Sequence, residues 1–371
     1  MSRQAIFEAS LEYFLKPIRP YLEDDSVTEI MVNGYDQVFI ERHGKIEPTN
    51  ARFESPDALV SAVNNIAQWV GRKISPERPV LDARLPDGSR VHAIIPPSAR
   101  TGLYLTIRKF SRNIFTLDDL VGFGSLSPAA KEFLEICVRL RKNMIISGGT
   151  GTGKTTLLGS LSRAIPEEER IVVIEDTSEL RLIQKHCLYL EVQQEDAAKR
   201  GGMTIRQLFV TSLRMRPDRI IVGEVRGGEA LDLVQSMLSG HAGSLSTVHA
   251  NSPRDALVRL ETLSLMSDVD IPVYVARAQV ASAIDLIVQI SRFAEDGSRK
   301  MTGITEVVGL DEQNQFEMRD LFRIKLQGTT PSGTLMSDLA PTGTLPTFAD
   351  AVYEHGLVDQ VQFSRSLWSR G

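Results

Sequence analysis

The spacing of apolar residues changes character near residue 142. In the first third, apolar positions come in short, mixed runs. Ile6, Leu11, Phe14 and Leu15 recur at helical spacing and predict a short amphipathic helix within residues 1–22. Val27–Met31 and Val38–Ile40, with the His43-Gly44 turn after them, predict a small antiparallel sheet. Residues 56–72 predict a helix, and short strands follow around Ala83, Val91–Ile95 and Leu103–Ile107. Pro86-Asp87-Gly88 and Pro96-Pro97 interrupt these strands. After residue 142 the strands are apolar throughout and alternate with helical stretches: 143–147, 171–175, 187–192, 219–223 and 244–248. Strands buried on both faces and separated by helices imply a mostly parallel, doubly covered sheet.

Two domains follow from this change of pattern. Residues 1–110 form a smaller amino-terminal α+β domain, and residues 126–371 form a larger α/β domain with a C-terminal extension. Between them, 111–125 carries Gly122, Gly124 and Ser125 and reads as a linker or hinge, leading into a helix at 128–141. The tail after 326 is rich in Gly, Pro, Ser and Thr. Its repeat of Pro331-Ser-Gly-Thr-Leu as Pro341-Thr-Gly-Thr-Leu reads as paired turns.

Composition removes several classes of function. A length of 371 residues, 42% hydrophobic and 24% charged, is that of an ordinary globular chain. A net charge of −5 offers no general attraction for nucleic acid, and none is expected as a direct partner. Cys137 and Cys187 are far apart and form no Cys-x-x-Cys pair, which argues against a zinc site or a disulfide framework and fits a reducing compartment. The first twenty residues lack the apolar stretch of a signal peptide, and no run is long enough to span a membrane. The expected location is cytoplasmic, with any membrane contact made through partners.

The chemistry begins at Ser147-Gly-Gly-Thr-Gly-Thr-Gly-Lys-Thr-Thr156, which satisfies the G-x-x-x-x-G-K-[ST] pattern between an apolar strand and a helix start. Gly148, Gly149, Thr150, Gly151, Thr152 and Gly153 would close backbone N–H groups around phosphate oxygens, at the positive end of the following helix. Lys154 would reach the outer phosphates, and Thr155, followed by Thr156, would ligate Mg²⁺. ATP and Mg²⁺ are therefore the expected cofactors. Two apolar strands end in acid: Ile171–Ile174 in Glu175-Asp176 with Glu179 beyond, and Arg219–Val222 in Gly223-Glu224. In an open α/β sheet both ends lie on the ligand edge. A third stretch, Gly240-His241-Ala-Gly-Ser244-Leu-Ser-Thr247-Val-His249, carries two histidines eight residues apart, which is poor spacing for a metal.

These boxes together resemble the secretion and type IV pilus motor ATPases, RecA-like P-loop engines that work as hexamers. The amino half (Thr28–Gly34, Leu81–Val91, Leu105–Lys109) and the run Ala281–Ile287, with Asp296-Gly-Ser-Arg299 after it, are most similar to the tight-adherence (Tad, CpaF-type) pilus-assembly ATPases. The resemblance covers the chain from about residue 20. It implies that Glu179 orients the attacking water and that Glu224 sits near Mg²⁺, two roles that could be exchanged, with Glu175 in reserve. It implies that His249 and His241 face the nucleotide and that Arg90 and Arg108 reach the phosphates when the domains close. It also implies a homo-hexamer working on an inner-membrane platform protein of a pilus or secretion machine. A type IV secretion traffic ATPase is the alternative. The four-cysteine zinc knuckle of type IVa extension motors is absent, and so is the Ala-Ile-Arg-Asn-Leu-Ile-Arg-like segment of retraction motors. A nucleic-acid translocase and a non-catalytic nucleotide-gated scaffold fit less well, the first for its charge and the second because every catalytic element is present.

Overall fold

The computed structural model describes residues 3–42, 44–110, 115–193, 201–331 and 333–368, so His43 of the expected turn lies outside the described residues. The chain divides into two compact units, Met1–Asn113 and Ile114–Gly371.

The smaller unit opens with helices α1 (Arg3–Phe14) and α2 (Arg19–Glu23). Strands β1 (Val27–Asn33), β2 (Val38–Arg42) and β3 (Lys45–Pro48) follow, then helix α3 (Pro56–Trp69) and strands β4 (Val80–Arg84), β5 (Arg90–Ile94) and β6 (Tyr104–Arg108). The strands form one sheet in the order β3-β2-β1-β6-β5-β4 with antiparallel neighbours. Helix α3 starts where Ser55 accepts the Ala58 N–H and Pro56 takes the first helical position. It buries Leu59, Val63 and Ile66 in one core with Ile30, Val32, Leu105 and Ile107. These strand residues alternate, so the other sheet face carries the polar partners in register: Arg84 opposite Arg90, Arg90 opposite Arg108, and Arg108 opposite Glu29.

The larger unit begins with α4 (Leu117–Gly122) and α5 (Pro128–Arg139). Composition alone makes 111–125 a linker. Residues 111–114 lie outside the described residues, but 117–122 are helical. Thr116 and Asp119 form a reciprocal cap, and Leu117, Leu120 and Leu126 are buried in the main core. Helix-capping chemistry and three core leucines override the two glycines.

There follow β7 (Met144–Ser147), α6 (Lys154–Ser162), β8 (Ile171–Glu175), β9 (Cys187–Glu191), α7 (Ile205–Ser212), β10 (Arg219–Val222), α8 (Glu229–Leu238), β11 (Leu245–Val248), α9 (Pro253–Leu265) and α10 (Val273–Ala283). The chain closes with β12 (Leu286–Arg292), β13 (Arg299–Leu310), β14 (Phe316–Thr329), β15 (Leu335–Pro341) and α11 (Ala351–Glu354). Among the described residues the sheet order is β15-β14-β13-β12-β7-β11-β10-β8-β9. Pairing is parallel from β12 through β9 and antiparallel from β12 to β15. Alternate residues of β7 belong to two cores, Met144 and Ile146 to one and Ile145 to the other, so both faces are covered. The polar tail is more ordered than its composition suggests. Most of 316–341 is the β14–β15 hairpin, and the chain end returns to α5, where Trp368 stacks on Phe133 and Glu132 accepts the N–H groups of Gln362, Phe363 and Ser364.

Candidate nucleotide site

The phosphate loop joins β7 to α6, as the strand–glycine–helix pattern requires. Gly151 and Gly153 have φ of 70° and 94°, where a side chain is strained. At Gly148 a Cβ would lie 2.7 Å from both the Ile290 carbonyl and Thr152 Oγ1, so only glycine lets the loop pass. Thr152 Oγ1 donates to the Gly149 carbonyl at 2.9 Å, and Lys154 Nζ donates to the Gly148 and Gly149 carbonyls at 3.1 and 2.9 Å. The ammonium is thus folded against the loop's own carbonyls, at the place where a phosphate would offer it better acceptors. The glycine-only passage and this donor set fit the phosphates of a nucleotide.

Strand ends supply the carboxylates. Because β8, β10, β11 and β7 are parallel neighbours, the residues that follow each of them emerge on the edge that carries the loop. Glu175, the last residue of β8, is 4% exposed and accepts the N–H groups of Glu179 and Leu180 at 2.9 and 3.1 Å. Burial pushes its carboxyl up to about 7, against the pull of those two N–H groups. A Cβ on Gly223 would meet its Cγ at 3.0 Å, so the glycine between Val222 and Glu224 makes room for it. Glu175 therefore holds the turn that presents Glu179, and Glu179 itself is half-buried. Glu224 is bound by Arg226, whose Nη2 and Nε lie 2.6 and 3.0 Å from Oε2. Arg226 Nη1 reaches Asp176 at 3.3 Å. Arg226 links the two acid boxes, and its one signal in the sequence is its place two residues beyond Glu224. Thr247 Oγ1 donates to the Gly223 carbonyl at 2.7 Å and fixes the end of β10 against β11. No group of three His, Cys, Asp or Glu side chains among the described residues could hold a metal alone. The Thr155 hydroxyl and one carboxylate fit a cation that takes its remaining ligands from phosphate and water.

The two histidines part company. His249 follows Val248, which pairs with Ser147 beside the loop, and its side chain is exposed. His241 precedes β11 and lies on the opposite edge. There Asn143 Oδ1 accepts the Gly243 and Ser244 N–H groups, and Arg219 donates to the Gly243 carbonyl. Four strand residues rising about 3.3 Å each separate the two edges. His241 thus stands on the edge away from this chain's own loop, since the strand between the histidines carries them to opposite ends of the sheet. Arg90 and Arg108 face each other in the smaller unit's sheet. Arg84, flanking Arg90, joins them on the same face, a neighbour that only the strand register reveals.

Comparison with known proteins gives this arrangement its family. Residues 13–325 match the family described as Type II/IV secretion system protein. The chain belongs to that family. Relatives of this secretion ATPase include the type IV secretion system protein PtlH of Bordetella pertussis, 36% identical over 321 residues covering 79% of this chain and 94% of that protein. VirB11 of Brucella suis is 33% identical over 319 residues, covering 78% and 88%. Among solved structures, the ATPase DotB of Legionella pneumophila matches with a TM-score of 0.54 at 19% identity over 81% of this chain and 82% of that one. The pilus retraction motor PilT, with bound ADP, matches at 0.53 and 17% over 96% and 91%. These two likenesses show the RecA-like fold. The named sequence relatives are type IV secretion proteins, which favours the alternative reading over the Tad-pilus one.

Proposed function

We propose that this chain is the traffic ATPase of a type IV secretion machine, a cytoplasmic homo-hexamer that binds ATP with Mg²⁺ and couples its hydrolysis to substrate movement through membrane-embedded partners. The observation that carries this reading is the similarity to PtlH along almost that protein's whole length. In the reading, the loop N–H groups and Lys154 bind the phosphates, and Thr155 and Glu224 hold Mg²⁺, which supplies charge neutralisation at the transferred phosphoryl group. Glu179 orients water from the turn fixed by Glu175, and His249 faces the outer phosphate. Arg90 and Arg108, from the smaller unit, compensate the negative charge that develops as the phosphoryl group transfers. Such an arginine contributes about 10³–10⁵ in rate where its role is established.

Assembly of a Tad-type pilus is the second reading, supported by the segments 28–34, 81–91, 105–109 and 281–287. The membrane contact is through partners in both readings. No helix among the described residues is long and apolar enough to cross a membrane.

The test is Mg²⁺-dependent ATP hydrolysis measured across protein concentration, with single-stranded DNA in a parallel series. The expected result is a specific activity that rises with concentration, is indifferent to DNA, and is lost in Glu224→Gln. Concentration-independent activity would remove the hexamer. Strong DNA stimulation that collapses with salt would replace the secretion reading with a translocase.

A further inference from the structure

The antiparallel end of the large sheet also reaches the phosphate loop. Arg292 and Arg299 are partners in the β12–β13 ladder, across the turn built by Asp296 and Gly297. Arg299 Nε donates to the Gly151 carbonyl at 2.9 Å. Its Cδ lies 3.6 Å from where a Cβ on Gly153 would sit, and Arg292 Nη1 lies 3.5 Å from the corresponding point on Gly151. Two guanidinium groups from one hairpin thus pack against the two left-handed glycines at the crest of the loop.

The next two residues of β13 anchor the hairpin from behind. Lys300 Nζ donates to the Gly124 carbonyl at 3.2 Å, and the Met301 N–H donates to the Ser125 carbonyl at 2.7 Å. Asp296 accepts the Ser298 and Leu335 N–H groups, which ties the turn to β15. Arg299 is therefore presented by a braced strand and not by a loose loop.

From this geometry we infer that Arg299, with Arg292 beside it, is a positioning residue that preorganises the phosphate loop for nucleotide. A trans peptide is planar, with its C=O and N–H pointing in opposite directions. Holding the Gly151 carbonyl on the hairpin side turns the Thr152 N–H away from the hairpin, toward the side on which phosphate binds. Left unanchored, a glycine-rich loop samples many peptide orientations, and ordering it is deducted from binding. The guanidinium also places a fixed positive charge behind the loop, complementary to the polyphosphate. This inference rests on the nucleotide-site reading above, and it deepens that reading by assigning the hairpin a role there.

The experiment measures the affinity of the full-length chain for a fluorescent N-methylanthraniloyl-ADP and the kcat and KM for ATP, in Lys154→Ala, Arg299→Ala, Arg299→Lys and Arg292→Ala. A hydrogen bond from a charged donor is worth enough to weaken binding by about tenfold when it is lost. Arg299→Ala should raise Kd and KM by about that factor with a smaller change in kcat, while the melting temperature without nucleotide stays close to that of the parent. Arg299→Lys, which keeps the charge and a donor, should recover part of the loss, and Arg292→Ala should show a smaller loss of the same kind. Unchanged Kd in Arg299→Ala, with binding abolished in Lys154→Ala, would overturn the positioning role alone. Retained binding in Lys154→Ala would overturn the nucleotide site itself. A fall in kcat alone would also overturn the inference, since loop preorganisation acts on binding.

Discussion

The two edges of the nine-stranded sheet are both rich in charge, and they treat it in opposite ways. On the amino edge, Arg219 is fully buried and bidentate to Glu169, with Nε–Oε2 at 2.6 Å and Nη2–Oε1 at 3.2 Å. Arg141 closes on the same carboxylate at 3.2 Å. Gly243 is glycine there because a Cβ would lie 2.5 Å from Arg219 Nη1. On the carboxyl edge, the lysine leans on backbone carbonyls, Glu224 is shared with a half-exposed arginine, and Glu175 is a buried carboxyl held near neutrality. The first edge holds an ion cluster built on the buried Arg219–Glu169 pair, with Arg141 at its rim. The second keeps charged groups on exchangeable partners, as a binding site must.

This contrast can be broken by substitution. The largest effect belongs to Lys154→Ala, which should lower ATP turnover by more than about 10²-fold while circular dichroism and melting temperature stay near those of the parent. Activity at the parental level would remove the loop from the site. The reverse is expected of Arg219→Met on the other edge. Leaving Glu169 with a single, half-exposed partner should cost about 3 kcal/mol in urea unfolding, and the KM for ATP of the folded fraction should not move.

A third substitution sharpens the description of Glu175. Its folded value, about 7, lies above the 4.5 of an ordinary glutamate. Its carboxyl therefore contributes fully to stability below about pH 4.5, and that contribution declines as pH rises toward 7, because only the unfolded state ionises freely in that window. Glutamine accepts the same two N–H groups and cannot ionise. Glu175→Gln should gain on the parent between pH 4.5 and 7, by at most about 3 kcal/mol, in denaturant titrations at the two pH values. An advantage independent of pH would mean that Glu175 is ionised in the folded protein. The smallest effect is expected at the histidines: His241→Ala should leave KM within about twofold, as sites on separate edges act independently, and His249→Ala should not.

Much of the larger unit could be read from residues alone. The phosphate loop, the acid-ended strands and the alternation of strand and helix are local signals, each written within about ten residues, and the structure reproduces their strands. The antiparallel end was harder. Strands β13 to β15 mix polar and apolar residues because one sheet face packs on the core while much of the other meets solvent, and Gly, Ser and Thr in β14 and β15 mimic loop composition. Residues 117–122 were hidden by neighbouring glycines, although Thr116 and Asp119 stand at the spacing of a helix cap.

The sequence by itself determined the chemistry this protein can offer: a glycine loop with lysine and threonine that fits phosphate, and carboxylates placed after apolar strands. Those properties follow from residue type and short spacing, which no later packing changes. Only the tertiary structure decided which of two histidines in one motif stands beside the loop, since a four-residue strand carries them to opposite edges. The structure also brought Arg299, 148 residues away in sequence, onto the Gly151 carbonyl, and set Arg84 beside Arg90 and Arg108. Such contacts depend on sheet order and register, which arise from burying both faces of the whole sheet and have no short-range signature in the chain.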